Sequence, residues 1–126
     1  MPALIVLASD DLLVGSRVEL VAHHLGYALR QVRTPNEFWA AIDERPALVL
    51  LGTRGTRLAW EDLLDQLKGR PDPPPVLAFG PHLDAEERAR ARRAGVTRWV
   101  PNSRLASDLP QLIRELARSV PASGQE

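Results

Sequence analysis

The sequence predicts one α/β domain: a five-stranded parallel sheet, doubly wound, with helices on both faces. Three observations carry this. Short, continuously apolar runs recur (Leu4-Ile5-Val6-Leu7-Ala8, Ala47-Leu48-Val49-Leu50-Leu51, Val76-Leu77-Ala78-Phe79), as in strands buried on both faces of a sheet. Helical patterns with recognisable ends lie between them. The spacing from strand to strand, about 20–25 residues, suits a repeated β-α unit.

Taken in order, the first apolar strand is followed by a helix from about Leu12 to Leu25, stopped by Gly26. Ala28-Leu29-Arg30-Gln31-Val32 mixes polar and apolar residues and suits an edge strand. Thr34-Pro35-Asn36-Glu37 then opens the second helix as a capping box, with threonine as cap, proline at the first helical position and glutamate three residues after the cap. The third strand at 47–51 leads to a helix from about Ala59 to Lys68, ended by Gly69 and the Pro71–Pro75 cluster. After the fourth strand, Asp84-Ala85-Glu86-Glu87 caps a helix that stops at Gly95. Thr97-Arg98-Trp99-Val100 reads as the second edge strand, and the last helix covers roughly Ser107 to Arg118. The domain is expected over residues 1–118, with 119–126 as a flexible tail. Right-handed crossovers and two polar edges favour strand order 2-1-3-4-5, a flavodoxin-like three-layer sandwich.

Composition excludes several classes. The 126 residues carry 16 basic and 16 acidic side chains, so the zero net charge argues against broad electrostatic capture of nucleic acid. No cysteine is present, which removes disulfides, thiol catalysis and cysteine zinc sites. No apolar run approaches the roughly 20 residues of a membrane helix, and the N-terminus lacks the basic region of a signal peptide. These features predict a cytoplasmic protein with no membrane partner. Lys68 is the single lysine among the 16 basic residues, and 11 prolines sit beside two asparagines. That balance is compatible with heat adaptation and equally with the codon bias of a GC-rich genome.

In a doubly wound sheet, ligands gather at the carboxyl ends of the strands, near the switch between strands 1 and 3. Ser9, Asp10 and Asp11, Gly52 through Arg57, Gly80-Pro81-His82 and Pro101-Asn102-Ser103 belong there. Across residues 4–118 the chain resembles the receiver domain of two-component response regulators. The resemblance rests on Leu7-Ala8-Ser9-Asp10-Asp11, Arg45-Pro46-Ala47-Leu48-Val49-Leu50-Leu51, Pro75-Val76-Leu77-Ala78-Phe79 and Arg93-Ala94-Gly95-Val96-Thr97-Arg98-Trp99-Val100-Pro101. Their order and spacing carry the specificity, since each is weak alone.

The resemblance implies a phosphorylation site that this chain has lost. The phosphoacceptor aspartate maps to Gly52; the first member of the metal-binding acidic pair maps to Ser9, leaving Asp10. The strand 4 hydroxyl maps to Gly80 and the lysine after strand 5 to Asn102. Aspartyl phosphorylation needs a carboxylate nucleophile, a carboxylate-held cation and a cation on the phosphoryl oxygens. The chain is therefore expected to be a degenerate pseudo-receiver, with no catalytic residue, no cofactor and no metal. The receiver's switch aromatic maps to Trp99. It is either a fixed core-edge residue, with Gly80 leaving it room to pack inward, or an exposed anchor for a partner.

Two further features invite a reading. The loop Gly52-Thr53-Arg54-Gly55-Thr56-Arg57 has glycines, hydroxyls and arginines suited to an anion, but no Walker lysine follows, and Asp10 and Asp11 would repel an anion. A plain polar connection is the bland alternative. The fourth helix holds the densest basic run, Arg88-Ala89-Arg90-Ala91-Arg92-Arg93. Pairs Asp84–Arg88 and Glu86–Arg90 at i,i+4 would leave Arg92 and Arg93 pointing outward, with Arg98 and Arg104 extending the basic surface. A solvated helix face is the bland reading. The sharper one is a docking surface for a protein partner or a homodimer through helix 4, strand 5 and helix 5, as the resemblance implies, with Arg92, Arg93, Arg98 and Trp99 as partner-binding residues. The expected function is thus phosphorylation-independent protein association in signalling or transcription. The alternative is an anion or nucleotide sensor using Ser9, Asp10 and the 52–57 loop. His23 and His24, adjacent on a helix, cannot share a metal, and His82 beside Asp10 gives at most two ligands.

Overall fold

The computed structural model describes residues 2–54, 56–81 and 85–118. Its elements run β1 (Leu4–Ala8), α1 (Leu12–His24), β2 (Ala28–Gln31), α2 (Pro35–Ile42), β3 (Leu48–Gly52), α3 (Trp60–Lys68), β4 (Val76–Gly80), α4 (Ala85–Ala94), β5 (Arg98–Pro101) and α5 (Asn102–Leu116). The five strands form one parallel sheet in the order β2-β1-β3-β4-β5. This is the expected doubly wound topology.

Strand alternation divides the core into two layers. Val6, Ala8, Val49, Leu51 and Ala78 point to the side covered by α2, α3 and α4, where they meet Phe38, Leu63, Leu64 and Ala91. Ile5, Leu7, Leu50, Leu77 and Val100 point to the side covered by α1 and α5, against Val18, Ala22, Leu109 and Ile113. β3 and β4 are buried along their whole length, whereas Arg30, Gln31 and Arg98 on the edge strands are exposed. That difference is the reason the central runs are continuously apolar and the edges are not.

Helix ends follow their local chemistry. Asp11 caps α1 by accepting from the backbone N–H groups of Leu13 (2.9 Å) and Val14 (3.2 Å). Thr34 Oγ1 accepts from Glu37 N–H at 3.1 Å, but Glu37 reaches back to Arg33 N–H (2.7 Å), one residue earlier than a capping box requires. α1 ends at Gly26, whose φ of +86° suits glycine, with Tyr27 N–H closing onto Ala22 C=O at 2.8 Å. The Asp84 cap lies outside the described residues.

α5 departs from expectation. It begins at Asn102 rather than near Ser107, and its backbone breaks from helical geometry at Asp108. Leu105 and Leu109 belong to the buried stripe of Leu112 and Ile113, so their burial holds the early turns helical despite the polar residues among them. Pro110 lacks the N–H that would bond Ala106 C=O one turn back. Arg17 of α1 supplies the missing donor, its Nη2 lying 3.1 Å from that oxygen, so the proline break is also where α1 and α5 are tied together.

Candidate functional site

The carboxyl edge of the sheet brings together Ser9, Asp10, Gly52, Thr53 and Gly80, as the sequence predicts, but their polar groups are committed inward. Ser9 is buried, and its Oγ accepts from Asp11 N–H at 3.1 Å, turning the chain into α1. Asp11 is consumed by the α1 cap. Asp10 lies between two guanidiniums, with Arg33 Nε at 3.7 Å and Arg57 Nε at 3.9 Å. Arg33 follows β2 and Arg57 follows β3, so cations flank the one carboxylate that survives from the expected acidic pair. No group of three or more metal-ligating side chains occurs among the described residues.

Gly52, which the resemblance sets at the phosphoacceptor position, is buried at the end of β3. A Cβ there would lie 3.2 Å from the Phe79 ring, 3.2 Å from Ser9 Oγ and 3.3 Å from Arg54 C=O. The space is therefore tight for any side chain. Gly80, which the resemblance sets at the strand 4 hydroxyl position, is tighter still: a Cβ would come within 2.6 Å of Thr53 Oγ1, 3.0 Å of Glu87 Oε1 and 3.3 Å of Trp99 Cζ2.

The atoms around Gly80 form a small polar network. Thr53, buried, donates from its hydroxyl to Glu87 and lies 3.2 Å from Phe79 C=O. Glu87 is buried on α4, and its second carboxylate oxygen accepts from Arg54 Nε at 3.1 Å. A buried carboxylate is costly unless charge-paired and hydrogen-bonded, and both conditions are met here. Thr53 and Arg54, two residues of the suggested ligand loop, are thus engaged with α4. Thr56 Oγ1 accepts from Leu58 N–H (3.2 Å), and Arg57 leans toward Asp10. Gly55 and His82 lie outside the described residues.

Trp99 packs its ring edge toward Gly80 and against the core layer under α4, half-buried, with a buried indole N–H that finds no partner among the described residues. Of its two sequence readings, the inward one describes its placement, although one side of the ring still lines a surface groove.

That groove lies between α4, β5 and α5 and has a volume of about 550 Å³. Arg88, Arg92, Arg98 and Arg104 line it, with Trp99 and Pro101 as its apolar part. Arg98 pairs with Glu115 at 2.9 Å and Arg104 with Asp108 at 3.3 Å, both on α5. Hydrogen bonds from Gln111 and Arg98 hold the Glu115 carboxyl below the usual range. Arg88 and Arg92 have no ion-pair partner among the described residues, and the expected Asp84–Arg88 pair lies outside them.

The structure separates Arg93 from Arg92. Adjacent helical positions are about 100° apart, and the charge of Arg93 is felt by Glu61 on α3 instead. The expected Glu86–Arg90 pair is replaced as well. Arg90 reaches across to Glu61 and lies over the Trp60 ring at 5.5 Å, and its hydrogen bond lowers the Glu61 pKa. Asn102, which the resemblance sets at the lysine position, is the first residue of α5 and lines a small apolar cleft with Leu13, Leu105 and Leu109.

Two residues of the edge were missed in the sequence. Arg33 carries no motif. Glu87 left a signal, as a carboxylate on the same side of its helix as buried Ala91.

Comparisons with known proteins agree with this architecture. The receiver domain of NtrX from Brucella abortus superposes with a TM-score of 0.71 at 27% identity, covering 89% of this chain and 94% of that one. A response regulator signal receiver domain from Bermanella marisrubri gives a TM-score of 0.77 at 17% identity over 92% and 98% of the two chains. A response regulator receiver protein from Burkholderia phymatum gives 0.72 at 21% over 94% and 98%. The chain matches no protein-family model and no curated relative. In architecture, strand order and extent, the chain has the flavodoxin-like fold of response-regulator receiver domains.

Proposed function

We propose that this protein is a pseudo-receiver: a regulatory module of signalling or transcription that acts by associating with a protein partner and does not take up a phosphoryl group. The observation that carries the reading is Gly52. It occupies the phosphoacceptor position, offers no nucleophile, and is enclosed by Phe79, Ser9 and the backbone of Arg54. The surroundings agree with it, since Asp10 is flanked by arginines and Gly80 holds the edge of Trp99 in place of a hydroxyl. With no chemistry to switch it, such a module acts through a preformed surface, and the α4–β5–α5 face offers Arg88 and Arg92, both exposed and without an ion-pair partner among the described residues. No helix among the described residues is long and apolar enough to cross a membrane, and a cytoplasmic location belongs to the same proposal.

The test is capture of a partner from the source organism by wild-type protein and by Arg92→Glu/Arg93→Glu. The expected result is a partner retained by wild type and lost by the variant, with the melting temperature unchanged. Retention by the variant would place the contact on another face.

A second reading has one observation in its favour. Arg33 and Arg57 both approach the single carboxylate of Asp10, a local cationic excess beside the Arg54–Glu87 pair. A small-anion sensor at Ser9, Asp10 and residues 52–57 would use that excess. A thermal-shift panel of nucleotides tests it, since ligand at 100 times its dissociation constant adds about 2.7 kcal/mol.

A further inference from the structure

The groove between α4, β5 and α5 is specific in its chemistry. Four guanidiniums from three elements line it: Arg88 and Arg92 from α4, Arg98 from β5 and Arg104 from α5. Two are already matched by Glu115 and Asp108. Arg88 and Arg92, one helical turn apart on the same wall, are exposed and unmatched among the described residues. The zero net charge of the whole chain conceals this local excess. We infer that the groove receives an acidic segment of a partner protein, its carboxylates meeting Arg88 and Arg92 and its apolar groups resting on Trp99 and Pro101. This deepens the association reading above and rests on it.

Charge decides between the possible occupants. In a two-fold dimer through this face, each copy would present the same cationic surplus to the other, and like charges brought together cost several kcal/mol. A nucleic acid would need many phosphate contacts to bind through electrostatics. It would also need several exposed aromatic faces for its bases, whereas half-buried Trp99 is the single aromatic residue lining the groove among the described residues. An acidic peptide needs neither. Arginine forks bind carboxylates bidentately, and the half-open Trp99 ring offers a surface for one apolar side chain.

The experiment titrates the protein with a short oligo-glutamate peptide, following backbone amide shifts, beside oligo-lysine and single-stranded oligo-dT of equal length. Two variants carry the same change in net charge: Arg88→Glu/Arg92→Glu in the groove and Arg33→Glu/Arg57→Glu at the carboxyl edge. The expected result is shifts confined to α4, β5 and the start of α5, weakened roughly tenfold (about 1.4 kcal/mol) by the groove variant and little changed by the edge variant. Equal weakening by both variants would reduce the effect to diffuse attraction and overturn the inference. So would absence of binding, or tighter binding of oligo-dT. A groove that ignores acidic peptide while Arg92→Glu/Arg93→Glu still loses a captured partner would overturn this inference and leave the association reading intact.

Discussion

The carboxyl edge of the sheet and the α4–β5–α5 groove are both rich in polar residues, and the two use them in opposite ways. At the edge, Ser9 closes a turn, Asp11 caps a helix, Thr53 and Arg54 hold Glu87, and the two glycines face filled space. In the groove, Arg88 and Arg92 are left to solvent beside a half-buried indole. Polar groups satisfied within the fold stabilise it; polar groups left unmatched on a fixed surface are available to something else. A receiver keeps its reactive chemistry at the edge. On the proposed reading, that edge is structural here, and the open chemistry lies on the flank.

Substitutions at the edge should therefore register as stability, and substitutions in the groove should not. The largest effect is expected for Gly52→Asp, which restores the carboxylate of the family pattern. It forces a side chain between Phe79, Ser9 and Arg54 and buries a charge, costing about 2 kcal/mol or more of unfolding free energy as read by urea denaturation. A stable Gly52→Asp protein that accepted a phosphoryl group would show that the edge still has room for the chemistry.

Gly80→Ala follows, at roughly 1–3 kcal/mol, because its methyl would meet Thr53 Oγ1. In a Thr53→Ala background the added cost should be smaller, with a coupling of about 0.5 kcal/mol or more in a double-mutant cycle. Strict additivity would mean that the two side chains do not compete. Arg88→Glu/Arg92→Glu in the groove should shift stability by no more than about 0.5 kcal/mol per site, as exposed substitutions do.

The smallest effect concerns acid. Glu61 is held below its usual pKa by Arg90, and Glu115 by Gln111 and Arg98. A carboxyl whose folded pKa lies below its unfolded value contributes stability above the unfolded pKa, about 4.3, and loses it as pH falls through the folded one. The melting-temperature gap between wild type and Glu61→Gln/Glu115→Gln should therefore close as pH drops below about 4. A gap that persists in acid would assign the loss to packing. Both pairs are exposed, so the effect is small.

Much of the fold was legible because its signals are local. Continuous apolar runs marked β1, β3 and β4, and Thr34-Pro35 and Gly26 marked helix ends. The start of α5 was not, because Asn102, Ser103 and Arg104 read as the connection after strand 5, while Leu105 and Leu109 are held helical by the core beneath them. The site divides in the same way. The departures from the receiver pattern that the resemblance implies at Gly52, Ser9, Gly80 and Asn102 could be read position by position. What replaced them could not, since Arg33, Glu87 and the Arg90–Glu61 pair join elements far apart in sequence. A rule confined to one helix assigned Arg90 to Glu86, but a neighbouring helix offered the better partner.

The most direct test of the central claim is to add beryllofluoride with magnesium to the wild-type protein and record its amide spectrum. The account predicts no change at Ser9, Asp10, Gly52 or Gly80 and no propagated shift at Trp99. A saturable set of shifts at those residues, reaching Trp99, would show a working phosphoryl site and contradict it.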